Sequence, residues 1–79
     1  MTLYENYAVF PDGENREIEH TLQPGDLVDI NAYPLDLPLP TNRMLAYRVS
    51  IKRTNEERGV ITTRYFLEQL NADELMAYV

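Results

Sequence analysis

Met44-Leu45-Ala46-Tyr47-Arg48-Val49-Ser50-Ile51-Lys52 sets the fold class, because it alternates without interruption. Leu45, Tyr47, Val49 and Ile51 fall on one face of an extended chain, and Ala46, Arg48, Ser50 and Lys52 fall on the other. A period of two is the signature of a half-buried strand, since successive side chains leave a pleated backbone on opposite sides. Asn55-Glu56-Glu57-Arg58-Gly59 then supplies turn formers. Val60 to Leu70, rich in Thr, Tyr and Phe, is a returning strand that pairs with the first as a hairpin.

Working outward from this hairpin, Leu3 to Phe10 shows the same alternation and stops at Pro11-Asp12-Gly13. Residues 13–19 are polar and acidic with a single Ile18, which predicts an excursion rather than an element. Pro24-Gly25-Asp26 is a turn into a further strand, Leu27-Val28-Asp29-Ile30. The stretch from Ala32 to Asn42 holds Pro34, Pro38 and Pro40. Proline donates no ladder hydrogen bond, so this stretch is expected to be a loop. Asn71 is a good helix N-cap, and Asp73 and Glu74 suit a helix N-terminus, so a short helix should close the chain. The expected architecture is all-β: a small five-stranded barrel over residues 1–70 with a helical extension over 71–79. A barrel is favoured at this length because closing the sheet removes exposed edges.

Composition narrows the function. Seventy-nine residues make one core at most, and 44% hydrophobic with 25% charged residues is an ordinary globular balance. No cysteine is present, which removes disulfides, thiolate metal sites and a cysteine nucleophile, and is compatible with the cytoplasm. No apolar run reaches membrane-span length, and no signal peptide is visible, so membrane insertion is not expected.

The net charge of −6 argues against nucleic acid as the main partner. That charge is uneven. Residues 1–42 hold eight acids against the single base Arg16, and residues 43–79 hold six bases against five acids. The acidic half either attracts a basic partner segment or simply keeps the protein soluble. Arg48, Lys52, Arg53 and Arg64 form either a basic patch on the hairpin or the ordinary charges of exposed strand positions.

Catalytic chemistry has little to stand on. His20 is the only histidine, set in Glu17-Ile18-Glu19-His20, where an isolated metal ligand or general base is a weaker reading than an ordinary histidine near an acidic loop. Gly13, Gly25 and Gly59 are too far apart to form a phosphate loop. The expectation is a non-enzyme with no cofactor and no metal.

Taken in order, the signals over residues 7–70 resemble an SH3 (Src-homology-3) domain. Ala8-Val9-Phe10-Pro11-Asp12 stands at that family's ALYDY motif, and the acidic run 13–19 stands at its RT loop. Leu22-Gln23-Pro24-Gly25-Asp26-Leu27-Val28-Asp29-Ile30 is similar to its L-x-x-G-D lead-in, and 32–46 would be a long n-Src loop. Tyr47 stands at the ligand-contacting Trp, Asn55 to Arg58 at the distal turn, and Gly59-Val60-Ile61-Thr62-Thr63-Arg64-Tyr65-Phe66 resembles the G-x-[IF]-P-x-N-Y-V ending.

The resemblance implies an adaptor-type signalling module that holds a polyproline II peptide in aromatic grooves. Phe10 and Tyr65 would line one groove, with Asp12 at the second ALYDY tyrosine, and Tyr47 and Thr62 would line the second. Glu14, Glu17 and Glu19 would meet a ligand Arg or Lys, Glu19 foremost. The departures weaken a standard ligand: Asp12 replaces a Tyr, Tyr47 the Trp and Thr62 the groove Pro, and aromatic anchors are worth roughly 2 kcal/mol each.

Other readings stand beside this one. Phe10, Tyr47 and Tyr65 also read as core or half-buried residues of a sheet, which is what aromatics in strands mostly are. Pro34-Leu35-Asp36-Leu37-Pro38-Leu39-Pro40 is a weaker candidate as a proline-type ligand itself. The alternative role is structural, with the 32–46 loop and the helix docking on another domain or subunit, and a larger parent protein is left open.

Overall fold

The computed structural model describes all 79 residues. Its centre is the expected hairpin: β4 (Tyr47–Glu57) runs antiparallel to β5 (Val60–Gln69). The two strands join through Arg58 and Gly59, both at positive φ (53° and 81°), the left-handed pair that a two-residue turn between twisted strands requires. The turn is therefore tighter than Asn55–Gly59. Asn55, Glu56 and Glu57 are strand residues opposite Thr62, Ile61 and Val60.

β1 (Leu3–Val9) lies parallel to β5 along its whole length, from Leu3 opposite Val60 to Val9 opposite Phe66. β2 (Asn15–Ile18) then folds back antiparallel on β1. This corrects the expected irregular excursion at 13–19. Phe10 and Glu14 close the turn, the Phe10 amide donating to the Glu14 carbonyl at 2.9 Å. β3 is only Leu27–Val28, paired with Arg48 and Tyr47 of β4. The strand expected to continue through Ile30 stops because Asp29 turns the chain: its carboxylate accepts from the Asn31 and Tyr33 amides at 2.8 and 3.0 Å.

The sheet order is β2-β1-β5-β4-β3, a curled mixed sheet forming a half-barrel with one short C-terminal helix. This is consistent with the small SH3-like all-β class. β2 and β3 are its two edges. No ladder joins them; side chains of Arg16 and His20 reach instead to residues 30–32, just after β3.

Two apolar clusters hold the sheet, one on each face. Ala8, Phe10, Ile18, Leu22, Val28, Ala32, Tyr47, Val49, Tyr65 and Leu67 fill the concave side. Leu27, Leu39, Ala46, Leu70 and Leu75 form the second cluster. The two residues of β3 point in opposite directions, so Val28 joins one cluster and Leu27 the other. Beyond the first cluster the β4–β5 hairpin projects. Residues 50–59 are all exposed, and the molecule extends 44 Å along its longest axis.

One expected face assignment changes. Ile51 does not share the buried face of Tyr47 and Val49, because the register shifts between Val49 and Ile51. The extra residue, Ser50, donates its hydroxyl to the Phe66 carbonyl at 3.0 Å, and Ile51 emerges 48% exposed opposite Phe66. A bulge exchanges the faces of everything after it.

The closing helix α1 (Ala72–Leu75) continues as a 3-10 turn over Met76–Tyr78. Asn71 caps it reciprocally. Its side chain accepts from the Glu74 amide at 2.8 Å, and the Glu74 carboxylate accepts from the Asn71 amide at 3.1 Å. Asn71→Ala is expected to lower stability by about 1 kcal/mol, measurable as a shift of the urea midpoint at unchanged slope.

Candidate functional site

The open side between β2 and the 29–33 turn carries two clefts that share one residue, Arg16. Arg16 reaches across from β2. Its Nη1 donates to the Ile30 carbonyl at 3.0 Å and to Asn31 Oδ1 at 3.2 Å, and its Nη2 pairs with Glu14 Oε1 at 3.0 Å. The guanidinium carbon also lies 5.4 Å from the centre of the Phe10 ring, within cation–π range. A side chain thus does at this edge what a ladder does elsewhere in the sheet.

The first cleft, about 390 Å³, brings together Phe10, Asp12, Glu14 and Tyr47 among the expected ligand residues. Phe10 and Tyr47 meet edge to face, with ring centres 5.1 Å apart and planes at 88°. Both are mostly buried, 6% and 8% exposed, so they offer ring edges rather than open platforms. Pro11, Ile30 and Gln69 complete the walls.

The second cleft, about 680 Å³, holds Glu17 and Glu19 beside His20 and Tyr33. His20 stacks on Tyr33 at 5.3 Å between ring centres. Its Nε2 lies 2.6 Å from the Ala32 carbonyl, an acceptor only, so that nitrogen carries the proton. His20 therefore ties the end of β2 to the turn. No group of three or more His, Cys, Asp or Glu is placed to hold a metal ion.

Two expected ligand residues lie elsewhere. Tyr65 is 1% exposed, inside the concave cluster with Phe10 and Tyr47, and supports the cleft from below rather than lining it. Thr62 pairs with Glu5 and Asn55, whereas Tyr47 pairs with Gln69. Seven residues of strand, roughly 23 Å, separate the two positions, so Thr62 and Tyr47 share no groove.

A family profile described as "Uncharacterised Treponema protein" matches residues 2–78. The chain belongs to that family. No curated protein and no solved structure matches it. In this Treponema family member the match covers both clefts, the projecting hairpin and the closing helix.

Arg48, Lys52, Arg53 and Arg64 of the hairpin do not form one patch. Arg48 is paired with Glu68, its Nε donating to Oε1 at 2.7 Å. Its hydrogen bond with the Tyr78 hydroxyl, together with Glu68, raises its pKa further above the ordinary arginine value. Lys52 lies over the Tyr65 ring on the concave side, with Nζ 5.8 Å from the ring centre. Arg53 and Arg64 are direct strand neighbours on the other face, where they line a third cleft with Phe66. There Arg64 approaches the Tyr7 ring at 6.0 Å. The Tyr7 phenol donates to Glu5 at 3.0 Å, and that carboxylate holds its pKa above the usual tyrosine value.

Proposed function

We propose that this chain is a non-enzymatic protein-interaction module whose first cleft takes a short extended, basic segment of a partner, proline-rich segments included. The observation that supports the reading is the position of Arg16. A guanidinium resting on Phe10 and paired with Glu14 is the arrangement a ligand Arg or Lys would make there. The chain fills its own cation position, and an incoming base competes with Arg16 or extends toward Glu17 and Glu19. The ordered resemblance to SH3 domains and the acidic surplus of residues 1–42 point the same way. On this reading the setting is the cytoplasm, which the absence of cysteine fits, and no helix is long and apolar enough to cross a membrane.

The test is an NMR titration of the labelled chain with a proline-rich peptide carrying one Arg. Shifts should concentrate at Phe10, Asp12, Glu14, Arg16 and Tyr47; a spectrum unmoved at millimolar peptide sinks the proposal. Arg16→Gln removes the internal competitor. The Arg16–Glu14 pair is partly exposed and worth at most about 1 kcal/mol, so this variant should bind up to about fivefold tighter.

The structural-docking alternative through the 32–46 loop and the helix has less to work with. Leu39 of the loop and Leu75 of the helix are occupied in the second cluster, and the Leu39 amide donates to the Tyr78 carbonyl at 2.7 Å. What remains outward is Tyr33, Leu37, Leu45, Met76 and Val79, with Tyr33 already stacked on His20.

A further inference from the structure

Beyond the bulge at Ser50, one edge of β4 has no neighbour. β3 pairs only with Tyr47 and Arg48, so Ile51–Glu57 is bonded to β5 on one side and open on the other. The stretch is seven residues, roughly 23 Å of strand, and every one of them is exposed. It contains no proline, and its only irregularity lies at its beginning. Such an edge is a template for another strand.

The charges on this edge select the occupant. Lys52-Arg53-Thr54-Asn55-Glu56-Glu57 runs from basic to acidic about a neutral centre. Reversed end to end, it is its own electrostatic complement. Antiparallel neighbours must share a face, so a two-fold axis pairs residues whose numbers are both even or both odd.

With the axis at Thr54, Lys52 of one copy faces Glu56 of the second on the concave side. Arg53 faces Asn55 and lies diagonal to Glu57 of the second copy on the convex side. With the axis at Asn55, Arg53 faces Glu57 directly, but Lys52 comes opposite Arg58, a like charge. In the Thr54 register the directly opposed charges are unlike, which stabilises cross-strand pairs, and that register is the favoured one. A parallel in-register partner would instead set Lys52 against Lys52 and Glu56 against Glu56.

We propose that the Ile51–Glu57 edge binds a second copy of this chain, antiparallel about a two-fold axis, joining two half-barrels into one continuous sheet. The interface is isologous, the same patch on both copies, and so closes at two. It lies on the projecting hairpin, away from Phe10 and Tyr47, and leaves the peptide cleft of each copy open. The dimer stands or falls independently of the peptide-binding reading.

Sedimentation velocity over a micromolar-to-millimolar concentration series should show a monomer–dimer equilibrium. The double variants Lys52→Glu/Arg53→Glu and Glu56→Lys/Glu57→Lys each set like charges across the two-fold, and each should weaken self-association by roughly tenfold to a hundredfold. Their equimolar mixture restores unlike pairs and should recover the dimer as a heterodimer. A wild-type chain that stays monomeric throughout overturns the proposal, as do reversal variants that associate as tightly as wild type. If a variant fails to fold, isotope-filtered NOEs on mixed labelled and unlabelled wild-type chain decide. Cross-chain contacts among residues 52–57 support the two-fold edge, and contacts confined to another surface overturn it.

Discussion

Replacing Tyr65 by alanine is expected to lower the free energy of unfolding by about 3–5 kcal/mol, the cost of removing a large aromatic from a core that cannot fully collapse. Tyr65 is the largest of the fully buried side chains, 1% exposed, and sits in one cluster with Phe10, Tyr47, Ile18 and Val28. A chain of this length has a total stability of only about 4–12 kcal/mol, so the variant should be largely unfolded at moderate temperature. Tyr65→Phe should be close to neutral, because the hydroxyl makes no hydrogen bond to the protein and no sealed polar side-chain atom lacks a partner. The pair of variants separates two roles. A ligand-lining tyrosine would lose binding with little loss of stability, whereas urea unfolding of Tyr65→Ala at a midpoint near wild type would remove Tyr65 from the core.

How much was legible follows from what each element depends on. The β4–β5 hairpin was legible because its alternation runs unbroken from Leu45 into the bulge, and pattern alone specifies a half-buried strand. The bulge was not, since Ser50 continues the alternation and only the pairing with Phe66 reveals the extra residue. β2 was hidden for a related reason. With Ile18 as its only buried residue, it exists through its ladder to β1 rather than through any preference of Asn15-Arg16-Glu17-Ile18. β3 ended early because the Asp29 carboxylate competes for the backbone, a local contest that an apolar Ile30 conceals.

The candidate site was half legible. Phe10, Asp12, Glu14 and Tyr47 converge because the turn after β1 folds toward the start of β4. The placement of Thr62 and Tyr65 on one ligand face rested on family alignment, yet residues three apart on a strand face opposite ways, and that argument was available from the sequence. Arg16 also left a trace. A single base among the eight acids of residues 1–42 has a choice of partners, and it took Glu14, two residues away, together with the carbonyl of Ile30.

Shortening the chain to end at Leu70 should destabilise it more than any surface substitution. α1 is a single turn and has no stability of its own in water. It persists because Leu75, 1% exposed, completes the cluster of Leu27, Leu39, Ala46 and Leu70, with Leu35, Met44 and Tyr78 packed against it. Leu75→Ala alone should cost about 2–5 kcal/mol, and deletion of residues 71–79 at least as much, because the cap and the Tyr78 carbonyl contact to Leu39 go with it. For a domain of this size each kcal/mol lowers the melting temperature by roughly 4–8 °C, so calorimetry should place the shortened chain tens of degrees below the full one. A melting point within a few degrees would mean instead that residues 71–79 are a separable extension. The loop and β3 would then hold Leu27, Leu39 and Leu70 without the helix, and that face would be free to dock on a neighbouring domain.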